Sequence, residues 1–97
     1  MSDTKTYNGW TNYETWNVAL WIDSDEGSYR ERVRMARHAR SVGDFANALK
    51  SWVDDMTPDL GASMFADLLG AALSEVEWYE IAEHWYNETH EDDEVPA

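Results

Sequence analysis

One short pattern recurs along the chain: a Ser or Thr followed three residues later by Glu. It occurs at Thr11 and Glu14, at Ser28 and Glu31, and at Ser74 and Glu77. In such a box the hydroxyl accepts from an exposed backbone N–H in the first helical turn, and the Glu reaches back to the capping residue. Each box precedes apolar residues spaced about 3.6 apart, the period of a helix that buries one face. The spacing predicts a first helix over 12–23 with Tyr13, Trp16, Ala19, Leu20 and Ile22 inward. A second is predicted over 29–41 with Tyr29, Val33, Ala36 and Arg40 in register. Asp44 is a suitable cap for a third helix over 45–56, whose period is the cleanest: Phe45, Leu49, Trp52, Val53 and Met56. Pro58 suits the first position of a further segment, which Gly61 interrupts. The run Met64, Phe65, Leu68, Leu69, Ala72 and Leu73 reads as the central, most buried helix. A last helix over 75–88 turns Val76, Tyr79, Ala82 and Trp85 or Tyr86 inward. No segment reads as a strand. The fold expected is all-α, a compact bundle of four or five short helices in one domain over 1–88, with an acidic, disordered tail over 89–97.

A 97-residue chain without cysteine has no disulfide or thiolate zinc site to stabilise it. Six tryptophans compensate. Each removes about 150–250 Å² from water when buried, so the core is expected to be Trp-rich. Three of them lie in YNGWTNYETWNVALWID, residues 7–23. That segment holds Glu14 and Asp23 but no cation, which argues against a base-stacking platform and for a packed wall. Trp10 and Trp21 are not plainly inward and are kept as contact candidates. No apolar run reaches the ~18 residues of a membrane span and no signal peptide opens the chain, so an intracellular, cytoplasmic protein is expected.

Charge separates the two halves. All seven Lys and Arg lie within residues 1–50, where seven acidic residues balance them; residues 51–97 hold 13 acidic residues and no cation. The net charge of −13 therefore belongs to the second half. Such a chain repels nucleic acid and attracts basic surfaces.

NGWTNYETWNVALWID at 8–23 and LLGAALSEVEWYEIAEHW at 68–85 resemble a family of short, acidic, mostly uncharacterised proteins carried by phages, plasmids and bacterial genomes. The resemblance implies a mobile-element setting, in which small acidic proteins often inhibit host defence, as anti-CRISPR and anti-restriction proteins do. It brings no catalytic residues with it.

DSDEGSYRERVR resembles a calcium loop, but its Gly is fifth and its twelfth residue is Arg34, where an EF-hand requires Gly sixth and Glu twelfth. Glu80, Glu83 and His84 lack the Glu-x-x-His repeat of a di-iron bundle. There is no cysteine, nucleophile elbow or phosphate loop. The expectation is a protein with no enzymatic activity, metal or cofactor. Arg30, Arg34 and Arg37 share a face, with Arg40 near them and Arg32 to the side; either they bind phosphate or, as the excess of carboxylates favours, they pair internally.

The acidic half is the preferred site: Asp54, Asp55, Asp59, Asp67, Glu75, Glu77, Glu80, Glu83 and Glu88. On the last helix Glu77, Glu80 and Glu88 are expected within about 80° of arc. Carboxylates one turn apart stand about 5–6 Å from each other, a spacing comparable to strand phosphates. The partner expected is a host defence protein with a basic nucleic-acid-binding surface, such as a CRISPR effector subunit, with no direct binding to nucleic acid or membrane. The alternatives are a generic solvated acidic surface, or an adaptor that docks or oligomerises through an aromatic or arginine-helix face. A small metal enzyme is a third.

Overall fold

A computed structural model describes residues 7–91, the side chain of the last excepted. Five helices follow in order: α1 (Tyr13–Ser24), α2 (Glu26–His38), α3 (Val42–Met56), α4 (Met64–Ser74) and α5 (Trp78–Glu91). Among the described residues there is no strand, only a bridge between Tyr7 and Trp10. The all-α bundle is as expected. The tail was expected from residue 89, but α5 carries Thr89 and His90 onward to Glu91. Residues 92–97 lie outside the described part.

The helices start where side chains satisfy the free N–H groups of the first turn, though mostly not at the boxes read from the sequence. Asn12, not Thr11, caps α1 by accepting from Thr15 N. Asp25 caps α2, which begins two residues before Ser28. Ser41 caps α3 and accepts from Asp44 N, while the Asp44 carboxylate reaches past the cap to accept from Arg40 N. Ser63 caps α4. The Ser74–Glu77 box does not form. Ser74 ends α4 with its hydroxyl donating to Ala71 O, and Glu77 N donates instead to Thr15 Oγ1 at 2.9 Å.

The core lies between α3 and α5, the most extensive pairing, with α2 and α1 closing it. Trp85, Phe45, Leu49 and Ile81 are its largest fully buried side chains. Ala36 and Ala82 are also sealed, letting the α2 and α5 backbones approach closely. Trp52, Trp78 and Trp10 pack around this centre half-buried.

Four assignments of inward faces are corrected. On α3, Met56 of the expected stripe is exposed. On α1 the buried side chains are Thr15, Ala19 and Ile22. Tyr13 and Leu20 face solvent, and Trp16 is half-buried. Small residues on the inward face let α1 sit close to the joint before α5, and the Thr15 hydroxyl is used there. On α2, Arg32 and Ala36 are buried, whereas Tyr29 is exposed and Arg40 lies beyond the helix. On α5, Val76 precedes the helix and is buried as expected, but Tyr79 faces out and Ile81 takes its place.

The largest correction concerns α4. It has no buried residue, and it makes no extensive pairing with another helix. Phe45 and Leu49 of α3 already fill the room against Ile81 and Trp85. Only the C-terminal part of α4 reaches the core, through Leu73. Met64, Phe65 and Leu68 are each more than 60% exposed.

Candidate functional site

The nine acidic candidates are spread over five segments. Asp54 and Asp55 stand exposed in the last turn of α3, with Lys50 Nζ 3.6 Å from Asp54. Asp59, in the α3–α4 connection, accepts from Gly61 N at 3.1 Å, holding the turn in which Gly61 takes a φ of 62°. Asp67 is exposed in the first turn of α4, and Glu75 is its exposed C-cap. Glu77 lies before α5 and faces solvent. Glu80 is half-buried and accepts from Thr11 N at 3.3 Å. Glu83 is exposed.

Glu88 turns toward α2, 3.7 Å from Arg32 Nη1. The expected arc of Glu77, Glu80 and Glu88 therefore does not form, because Glu77 is outside the helix and Glu88 serves an internal arginine. What α5 does gather is Glu80, Glu83, His84 and Asn87. With Asn8, Gly9 and Trp10 they line a pocket of about 420 Å³.

Local sequence explains that pocket. Asn8 and Gly9 both have positive φ, 48° and 92°, the requirement of a tight two-residue turn. Tyr7 and Trp10 exchange backbone hydrogen bonds of 2.9 and 2.8 Å across it. The turn lays the Trp10 indole edge-on to the His84 ring, 5.3 Å between centroids. It also lays Tyr7 against Tyr13 and Trp16, at 5.2 and 5.0 Å. The opening aromatic stretch is thus a half-exposed cluster on the outer side of α1. Trp21 stands beyond it, 66% exposed. Among the described residues no three His, Asp or Glu side chains converge as a metal-ligand set.

The arginines of α2 divide. Arg30 pairs with Glu26 and Arg34 with Glu31, both on the helix surface. The hydrogen bond from Arg34 holds the Glu31 carboxyl below the usual carboxylate range and raises Arg34 in turn. The Asp25 carboxyl is lowered as well, by the Ser28 N–H that it caps. Arg32 behaves differently. It is 3% exposed, donates from Nε to Asp23 at 3.0 Å, and lies over the rings of Trp85 and Tyr29 at 4.5 and 4.8 Å. Read from sequence as lying to the side of a phosphate-binding face, it is a structural side chain at the α1–α2–α5 junction. An apolar setting for a guanidinium becomes tolerable with two carboxylates and two aromatic faces around it.

Fold and surface together define a small, acidic, all-helical domain. The chain belongs to DUF7249, a family of unknown function, whose model matches residues 3–95. No curated protein and no solved structure matches it. Among the described residues, no helix is long and apolar enough to cross a membrane.

Proposed function

We propose that this protein is a non-catalytic inhibitor that binds the basic, nucleic-acid-binding surface of a protein partner through its acidic second half. One observation carries the reading. Asp55, Asp59, Asp67, Glu75, Glu77 and Glu83 are all exposed and have no cationic partner among the described residues, in a half with no Lys or Arg. Folded carboxylates on helix ends and turns present fixed charge that speeds encounter with a basic groove and competes with a polyanion there. The resemblance of the two aromatic and acidic motifs to phage and plasmid proteins gives the setting: a mobile element, a bacterial cytoplasm, and a host defence complex such as a CRISPR effector as the target.

The test is displacement of a labelled oligonucleotide from a panel of purified CRISPR effectors and restriction enzymes. Wild-type protein should displace it at 50 mM salt and lose at least tenfold in potency by 500 mM, because exposed charges are screened. Replacing Asp67, Glu77 and Glu83 by Lys takes the net charge from −13 to −7 and should abolish displacement with helicity unchanged. Glu80 and Glu88 are left intact, since both have contacts within the fold. Equal potency of this variant, or no displacement from any member of the panel, refutes the proposal. The adaptor reading draws on the exposed Tyr13, Leu20 and Trp21 of α1; binding through them would persist at high salt.

A further inference from the structure

We infer that α4 is a receptor for a basic amphipathic helix of a protein partner. The inference deepens the reading above, on which it rests, by naming the segment of the partner that is engaged; its new element is the apolar face of α4, which Asp59, Asp67 and Glu75 of the acidic surface edge.

The sequence of α4, MFADLLGAALS, contains one charged residue in eleven. A helix that is apolar on all sides is ordinarily buried. Here Met64, Phe65 and Leu68 fall within an arc of about 100° and project into solvent at 64%, 64% and 61% exposure. Ala71 and Ala72 complete that arc, so no charge interrupts it. On the opposite side Pro58, Leu60, Ala66, Leu69 and Leu73 line a groove of about 450 Å³ between α4 and the preceding connection. Phe65 and Leu69 are one turn apart on the same helix, so bare face and groove form one apolar surface. Three large side chains exposed together are more than scattered surface hydrophobics, and such a patch marks an interaction site. Met and Phe adapt well to a helical ligand.

Charge decides the occupant. The surface is edged by Asp59, which lines the groove, by Asp67 of α4 and by Glu75 at its end. The nearest cation in the sequence, Lys50, lies 3.6 Å from Asp54. A second copy would oppose these acids with its own and join two bodies of net charge −13. An anionic lipid surface is repelled for the same reason. A helix with an apolar stripe flanked by Lys and Arg satisfies both halves of the surface. Eleven residues of helix span about 16 Å, enough to receive three turns of such a ligand.

The experiment titrates the full chain calorimetrically at 150 mM salt with two synthetic 14-residue peptides of Leu and Lys. One is patterned as an amphipathic helix; the other has the same composition scrambled. The amphipathic peptide should bind at least tenfold more tightly. Phe65→Ser with Leu68→Ser should remove that difference with the circular dichroism spectrum unchanged, both side chains being exposed. Met64→Gln, mild for a helix, should weaken the amphipathic peptide severalfold. Glu77→Lys with Glu83→Lys should preserve the preference, so failure of the charge-mimicry reading and failure of this one are separable. Equal binding of the two peptides, or a preference that survives the Phe65 and Leu68 substitutions, overturns the inference. So does sedimentation showing a dimer that those substitutions dissociate, which would give the face to a second copy.

Discussion

Replacing Arg32 by Ala should cost about 2–4 kcal/mol, roughly a third of the 5–15 kcal/mol that holds a domain of this size together. Three losses contribute. The hydrogen-bonded pair with Asp23 contributes on the order of 1.5 kcal/mol, as expected for a bond between charged groups. Stacking on Trp85 and Tyr29, 4.5 and 4.8 Å from the guanidinium, contributes about 1–2 kcal/mol for a site largely shielded from water. Removing the aliphatic stem forfeits about 1 kcal/mol of packing. One term opposes these, since the folded state no longer carries the cost of taking a cation out of water. Asp23 and Glu88 keep access to solvent, at 42% and 59% of their side chains, so leaving them unpaired adds little. The midpoint of thermal unfolding should fall by roughly 8–30 °C, at about 4–8 °C per kcal/mol for domains of this length. Urea unfolding followed by circular dichroism measures it, with the exposed Arg37→Ala as a control expected within about 0.5 kcal/mol of wild type. Arg32→Met separates packing from charge, and should recover half or more of the loss. A cost for Arg32→Ala below about 0.5 kcal/mol would show that the guanidinium is not part of the core and refute the internal-pairing account.

Thr15→Val keeps the shape but leaves the Glu77 N–H without its acceptor at 2.9 Å; a loss of about 1–3 kcal/mol is expected in the same assay, and Thr15→Ser should lose less. The Asp25 carboxyl is held below its ordinary value by the Ser28 N–H. Its cap is therefore fully formed above about pH 4, the usual value for Asp, and is lost as pH falls through the lowered value. Between pH 5 and pH 3 the wild type should lose more stability than Asp25→Asn, whose amide caps without titrating; equal slopes would contradict this.

How much of this was legible in the sequence depends on the element. Helix number, order and rough position follow from periodicity, because five apolar stripes with breaks between them leave few other structures. Caps were harder, since neighbouring polar residues compete for one role. Thr11 and Asn12 both qualify, and Asn12 prevails because its amide also donates to Glu75 O at 2.8 Å, a contact 63 residues distant. The inward face of α1 was misassigned for a related reason. Size favoured Tyr13, Trp16 and Leu20, whereas packing against the α4–α5 joint required the small Thr15 and Ala19. The Asn8-Gly9 dipeptide is a strong local turn signal, but it says nothing of the distant His84 on α5 against which Trp10 packs. Composition concentrates the acidic candidates in one half of the chain but could not foresee that Glu88 would serve Arg32, because Arg32 itself reads as a surface charge.

The position of α4 is the step that local reasoning could not reach, and its ends explain why it is held there. An isolated helix of eleven residues is marginal in water. Ser63 satisfies its first turn, accepting from Ala66 N at 3.1 Å. The Gly61 turn fixes the direction from which the chain enters. At the other end Leu73 reaches the core. Just beyond, Glu75 O and Glu77 N are tied to Asn12 and Thr15 of α1. Anchorage at both ends therefore supplies the stability that burial of the middle would ordinarily provide. It leaves Met64, Phe65 and Leu68 on a helix that is ordered without them. Phe65→Ser and Leu68→Ser together should then cost less than about 0.5 kcal/mol, whereas Leu73→Ala, which trims a half-buried side chain packed on the core, should cost about 1–2 kcal/mol. Similar costs for the two changes would mean that the exposed face carries part of the fold.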